Sequence, residues 1–316
     1  MNNKNLLTRK KAVIPLTLIC CFLWGSAFPC IKIGCRMFDI DTSSTSSQIL
    51  FAGMRFMLAG ILAAIAGSII SKRPLLPDKN TLPKICLLSV FQTILQYTFF
   101  YIGLARTTGM KSSIITASNV FLSILVSALI FRTEKLGVRK IAGCILGFSG
   151  VVLINLNNSS DLGVSFMGEG MVFLSALSYA FSASITKRFS RSADPVLLSS
   201  YQFIIGGAFM TAAGLIAGGK VSSVTPSGAV MLMYLAFISA AAFSIWSLLL
   251  KHNPVSSISV FGFMNPVFGV ILSALLLSER SAAGLWQIIT ALILIAAGII
   301  TVNSLPQKKC EVKADE

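Results

Sequence analysis

The sequence predicts an all-α polytopic membrane protein, with ten transmembrane helices arranged as two inverted five-helix repeats, and three observations predict it. Apolar residues fall into ten runs long enough to cross a bilayer, Lys and Arg collect on alternate loops, and the second half of the chain repeats features of the first in the same order. Composition frames this reading: 316 residues, 55% hydrophobic and 12% charged, with a mean hydropathy of +0.82. A soluble domain carries about twice that charged fraction. Ten spans of about 20 residues, each matched to a ~30 Å hydrocarbon core, use about 200 residues and leave only short connections. A soluble enzyme, a disulfide scaffold and a disordered chain are thereby excluded.

The predicted spans run over 13–35, 47–70, 84–104, 110–131 and 138–156 in the first half, and over 169–187, 195–217, 228–250, 255–277 and 285–303 in the second. Each is read as a helix, because lipid leaves no backbone group free to go unpaired and no run alternates like a barrel strand. The first span follows Arg9, Lys10 and Lys11 as a signal peptide would, but nine more spans make it an uncleaved anchor. The second carries Arg55 within it. In the third, Ser89, Gln92, Gln96 and Gly103 follow 3-, 4- and 7-residue steps, which predicts one polar face flanked by Tyr97 and Phe100. The fourth and ninth hold Asn119 and Asn265, and the fifth holds a ladder of Gly143, Gly147 and Gly150 suited to close helix packing. Glu169 opens the sixth. Pro266 removes a backbone donor from the ninth and predicts a kink, on a face kept small by Gly262, Gly269 and Ser273.

With the N-terminus inside, nineteen Lys and Arg fall on the inner side and six on the outer, which predicts cytoplasmic termini. Arg106 and Lys111, beside a tight outer turn, are the main dissent. The net charge of +15 and pI near 9.8 follow from this asymmetry, and no nucleic-acid partner is predicted. The seven cysteines lie mostly inside apolar runs, with no CxxC and no nearby His, and are read as small hydrophobes.

The repeat is read from order and offset. Residues 119–130 align without gaps on 265–276, Glu134 matches Glu279, and the fifth and tenth runs both end Gly-hydrophobic-hydrophobic-hydrophobic/Thr-hydrophobic-Asn, at Asn155 and Asn303. Trp24 to Lys32 recurs as Tyr179 to Lys187, and Met54-Arg55-Phe56 corresponds to Tyr201-Gln202-Phe203. Five spans per half is an odd number, so the second half enters the membrane in the opposite sense, an architecture common in secondary transporters. The predicted units are 12–156 and 165–303, with cytoplasmic tails at 1–11 and 304–316. Duplication also builds scaffolds and channels, so a passive channel or a non-transporting membrane interaction module stands as the alternative.

Leu23-Trp24-Gly25-Ser26-Ala27-Phe28 followed by Lys32 resembles the opening helix of the EamA branch of the drug/metabolite transporter superfamily. Arg55-Phe56, Glu134, Asn265-Pro266 with Glu279, and the glycine ladder extend the resemblance over about 12–303 as two EamA units. Val120 departs from the pattern, standing where the family often has a proline, so a helix break is expected at Pro266 alone. The resemblance implies that helices one, three, four, six, eight and nine enclose a central cavity, with the second helix peripheral. Gln92 and Gln96 are then candidates for polar substrate contacts, or for bonds between helices. Trp24, Tyr179 and Trp246 are candidate aromatic walls, or members of an interfacial belt. Asn119 and Asn265 either bond a neighbouring helix or face a wet cavity. Arg55 either holds a substrate carboxylate, with Lys32, or snorkels to headgroups or to helix-end carbonyls.

What is missing narrows the chemistry. No Asp or Glu lies deep in a span, His252 is the sole histidine, and no Walker-type loop occurs. No enzyme, metal or cofactor is therefore expected. The expected function is secondary transport of small polar metabolites by alternating access, most simply export of amino acids or related compounds, in a bacterial plasma membrane. The expected partners are a small-molecule substrate and the lipid bilayer, with no oligomeric state assigned.

Overall fold

The protein, in a computed structural model, is described over residues 7–41, 44–107, 109–155, 165–277 and 284–304, and regular structure among these is helical throughout. The helices are α1 (Lys10–Met37), α2 (Thr45–Ser71), α3 (Leu82–Leu104), α4 (109–130), α5 (Val138–Asn155), α6 (166–189), α7 (Pro195–Ile216), α8 (Pro226–His252), α9 (255–277) and α10 (Leu285–Asn303). All but α6 are long and apolar enough to cross a membrane. Lys187, Arg188 and its serines lower the hydropathy of α6, and Ser175, Ser178, Ser182 and Ser184 are all buried, as are Val172, Ala176, Tyr179, Ala180 and Ala183. A helix walled in by protein does not need a lipid-soluble surface all round. Glu279, Arg280 and the residues beyond Ser304, on which part of the repeat and tail predictions rest, lie outside the described residues.

Local chemistry fixes several starts. The Ser44 hydroxyl accepts from the Ser47 N–H at α2, and Asp194 accepts from Val196 and Leu197 at α7, where Pro195 occupies the first turn. Thr225 caps α8 through Gly228 N–H at 3.1 Å. Irregular turns interrupt four helices: wide π turns at Val90–Leu95, Val126–Ile130 and Phe166–Gly170, and a tight 3-10 turn at Val260–Phe263. The last lies immediately before Pro266, whose absent N–H cannot serve the carbonyl of Gly262.

Two seams hold the bundle. Along α2 and α7, a Cβ on Gly60 would sit 2.5 Å from Ser200 O, and one on Gly207 would sit 2.8 Å from Gly53 O. Along α5 and α10, a Cβ on Gly150 would sit 2.9 Å from Ala291 O, and one on Gly298 would sit 2.5 Å from Gly143 O. Only glycine lets these backbones approach so closely. The ladder glycines thus serve packing; Gly147 backs onto the Phe263 ring. Between the seams α1 packs on α8 and α9, while α6 packs on α3 and α4. The wide turn in α3 rephases that helix. Ser89 faces Gly206 of α7 while Gly103 faces Gly168 and Val172 of α6, so the single polar face expected from spacing is split.

Candidate substrate cavity

A chain of touching aromatic rings crosses the middle of the bundle. Trp246 meets Trp24 at 4.9 Å, Trp24 meets Phe243 at 5.0 Å, and Phe243 meets Phe203 at 4.9 Å, each edge to face. Phe203 then stacks on Phe56 at 5.1 Å with planes 2° apart, and Phe56 meets Tyr97 at 4.3 Å. Tyr179, 9% exposed, is within electrostatic reach of Tyr97, Cys20 and Cys21, with its hydroxyl beside the Trp246 indole. The structure therefore brings Trp24, Tyr179 and Trp246 together inside the bundle. Trp24 and Trp246 pack on each other, and Trp246 is 2% exposed, whereas a belt would face the headgroups.

Around the rings, buried polar atoms go without partners. Gln92 Oε1, Gln96 Oε1 and Asn265 Oδ1 accept no hydrogen bond, and the Trp24 indole nitrogen donates none. Native interiors leave few such atoms, and in a dry site each is costly. Asn119 is half-buried, next to Val120, which meets Gly262 of α9. Gln202 is held on one side only: Thr93 Oγ1 donates to its Oε1 at 2.5 Å, while its Nε2 donates no hydrogen bond.

Arg55 corrects the snorkelling expectation. It is 4% exposed, with its guanidinium carbon 4.3 Å from the Phe56 ring centroid and 5.9 Å from that of Tyr97. Its Nε is buried without a hydrogen bond. Ten residues into α2, it is about 15 Å from the helix start, and the neighbouring α3 rings hold it inward. Lys32 does not share this burial; it lies exposed on α1.

One end of the bundle is tied across and the other is tied only within its sides by the bonds described here. At the end carrying Leu7, Lys10 and Asn303, Glu134 pairs with Lys140 at 2.7 Å and accepts from Ser127 Oγ, Ser256 N–H and Ser256 Oγ. Burial alone pushes the Glu134 carboxyl up, but Lys140 and the hydrogen bonds from Lys140 and Ser256 hold it below the usual carboxylate range. Lys187 of α6 donates to the carbonyls of Leu250 and Asn253 of α8, and Asn253 donates to Leu7 O. At the opposite end Lys220 N–H donates to Ser47 Oγ and Ser223 N–H to Phe38 O, joining α1, α2, α7 and α8. There Glu169 accepts from Thr107 Oγ1 and Ser165 N–H and pairs with Lys111, joining α3, α4 and α6.

Exposure along α3 marks the cleft between those two groups. In its first half, buried Ile85, Leu88 and Ser89 alternate with exposed Cys86, Leu87 and Val90. From Ile94 to Phe100 every residue is half-buried, as expected of a helix with lipid on one side and open space on the other. A separate groove of about 650 Å³ between α4, α5 and α10, lined by Phe121, Ile145, Phe148 and Leu294, is almost wholly apolar. Its Ser118 and Ser149 hydroxyls are spent on their own helices, so nothing there orients a polar ligand. Among the described residues no group of His, Cys, Asp or Glu is placed to hold a metal ion.

Sequence reasoning missed Phe56, Phe203 and Phe243. Aromatics in a span read as ordinary core, yet a signal existed for two of them: Phe56 and Phe203 are counterparts in the internal repeat and stack on each other.

The family model for EamA-like transporters matches residues 11–156 and 166–304. A relative named "Probable amino-acid metabolite efflux pump" in Escherichia coli is 26% identical over 96% of this chain and 98% of its own. The transporter YvbV of Bacillus subtilis is 24% identical over 93% of each chain. A WAT1-related chloroplast protein of Arabidopsis thaliana is 24% identical, and the match spans 62% of its length. A solved crystal structure covers 94% of this chain with a TM-score of 0.75 at 16% identity, a likeness of fold.

Proposed function

The chain belongs to the EamA-like transporter family, and from that premise we propose that it is a secondary transporter of small polar metabolites, an exporter of amino acids or related compounds working by alternating access. Membership makes it a multi-pass membrane protein and no enzyme. The observation that carries the substrate reading is the aromatic chain with unpaired polar atoms around it. Such a mixture of apolar walls and a few polar groups suits a small amphipathic ligand. The name of the Escherichia coli relative points the same way.

In this reading α6 also crosses the bilayer, giving ten spans in two inverted units, 12–156 and 165–303, with both termini cytoplasmic in a bacterial plasma membrane. Symmetry of contacts supports the inversion. The pair Gly60–Ser200 is mirrored by Gly207–Gly53, and Gly150–Ala291 by Gly298–Gly143. Residues that touch their counterparts lie on a two-fold axis, as Phe56 and Phe203 would. The Glu134 and Lys187 ties would then close the cytoplasmic end, leaving the cavity facing outward between α1, α8 and α9 on one side and α3, α4 and α6 on the other. Gln92, Gln96, Asn119, Asn265, Trp24, Tyr179 and Trp246 are the proposed substrate contacts, and the irregular backbone before Pro266 is the proposed flexure.

Counterflow in proteoliposomes tests the proposal. Preloaded amino acids should drive saturable uptake of labelled amino acid. Flux that never saturates would instead establish a channel, and no flux across amino acids, nucleosides and sugars would remove transport of metabolites from consideration.

A further inference from the structure

Arg55 is the charge that the bundle leaves unanswered. It is 96% buried by exposure of 4%, lies on the aromatic chain, and makes no hydrogen bond or ion pair with a described residue. The buried carboxylates are engaged elsewhere, Glu134 with Lys140 and Glu169 with Lys111. An aspartate or lysine in such a place could shed its charge by moving a proton, but a guanidinium stays charged at any physiological pH. Contact with the Phe56 and Tyr97 ring faces returns only part of the hydration lost on burial. A buried cation with only rings for company is half of an ion pair.

We infer that Arg55 is the anchor for the carboxylate of the transported molecule. The charge of Arg55 bears on Cys35, Tyr97 and Tyr101, so the groups facing it come from α1, α2 and α3, at the side of the cavity where α3 is half-buried all round. Those neighbours are a thiol and two phenols, able to donate a hydrogen bond to an anion and adding no negative charge of their own. One positive charge balances one negative charge, which favours a carboxylate monoanion over a phosphate dianion. The planar fork of donors on arginine also matches the two oxygens of a carboxylate. The unpaired amide oxygens of Gln92, Gln96 and Asn265 are acceptors suited to an ammonium group. The site is thus built for a zwitterion, and an amine lacking the acid should bind poorly.

The inference rests on the transport reading for calling its ligand cargo, but binding alone judges it. The full-length protein in a neutral detergent is melted with the twenty L-amino acids, acetate and benzoate, and in parallel with the matching carboxamides. Acids should raise the unfolding temperature at concentrations at least about tenfold below their amides, the worth of one charge-assisted bond. R55Q should erase that preference, and R55K should keep part of it because the charge stays while the fork is lost. Equal shifts by acids and amides, or no shift by any acid, would overturn the anchor. So would an acid preference that survives in R55K and R55Q with only the unliganded melting temperature lowered, since that is a clamp between α2 and α3. If R55Q does not fold, the wild-type acid-to-amide ratio and R55K still decide. Saturable counterflow of amides alongside acids would leave the transporter standing without its anchor, whereas an acid preference in binding with no counterflow would do the reverse.

Discussion

Gln92 and Gln96 put two unpaired amide oxygens about one turn apart on α3, and each costs about 1–3 kcal/mol if it finds no partner. Evolutionary or not, such a cost has a structural signature: removing the polar group should relieve it. Gln92→Leu and Gln96→Leu are therefore expected to hold or raise the melting temperature while cutting counterflow about tenfold, the worth of one lost substrate contact. A fall in melting temperature with normal transport would mean the amides serve helix packing. These glutamines were legible in the sequence because amides are conspicuous in an apolar run. The burial of Arg55 was not, since α2 alone says nothing of Tyr97 of α3 closing over its guanidinium. The side chains that hide a charge come from other elements, and spacing along one helix cannot report them.

At the level of elements, the connection between α4 and α5 reaches across the bundle to the first turn of α9. Glu134 sits 7% exposed between Lys140 and the Ser256 N–H, where a negative group favours the positive end of the helix. Because its folded pKa lies below its ordinary value of 4.5, its stabilisation is complete above that value and is lost as pH falls through the folded pKa. Thermal unfolding should thus become easier as pH drops below about 4.5, and Glu134→Gln should melt lower at neutral pH, by about 2 kcal/mol, with that acid slope flattened. An unchanged slope would assign the acid sensitivity to other carboxylates. Nine spans were readable, among the described residues, because length and hydropathy suffice for them. The phase of α3 was not, because a π turn at Val90–Leu95 shifts which residues share a face and leaves no mark in the pattern of apolar residues. The case of α6 is similar: its buried serines help to lower its hydropathy.

For the molecule as a whole, the proposed inversion of the halves makes a clear demand. Single cysteines at positions 134 and 279, in a background without the native cysteines, should react with impermeant reagents from opposite sides of the membrane. Labelling from the same side would dismantle the two-unit reading and the alternation built on it. The internal repeat made the pairing of α2 with α7 and of α5 with α10 foreseeable in principle, since the residues at these crossings occupy matching places in the two halves. What no alignment conveys is how near the backbones come.

That nearness has a mechanical consequence. In the proposed alternation, when the halves trade roles, contacts between α1 and α8 become contacts between α3 and α6, but a crossing of a helix with its own counterpart is carried onto itself. The two glycine crossings can therefore act as fulcrums: the same atoms stay in touch in either pose, and the work of rocking falls on the contacts that lie off the axis.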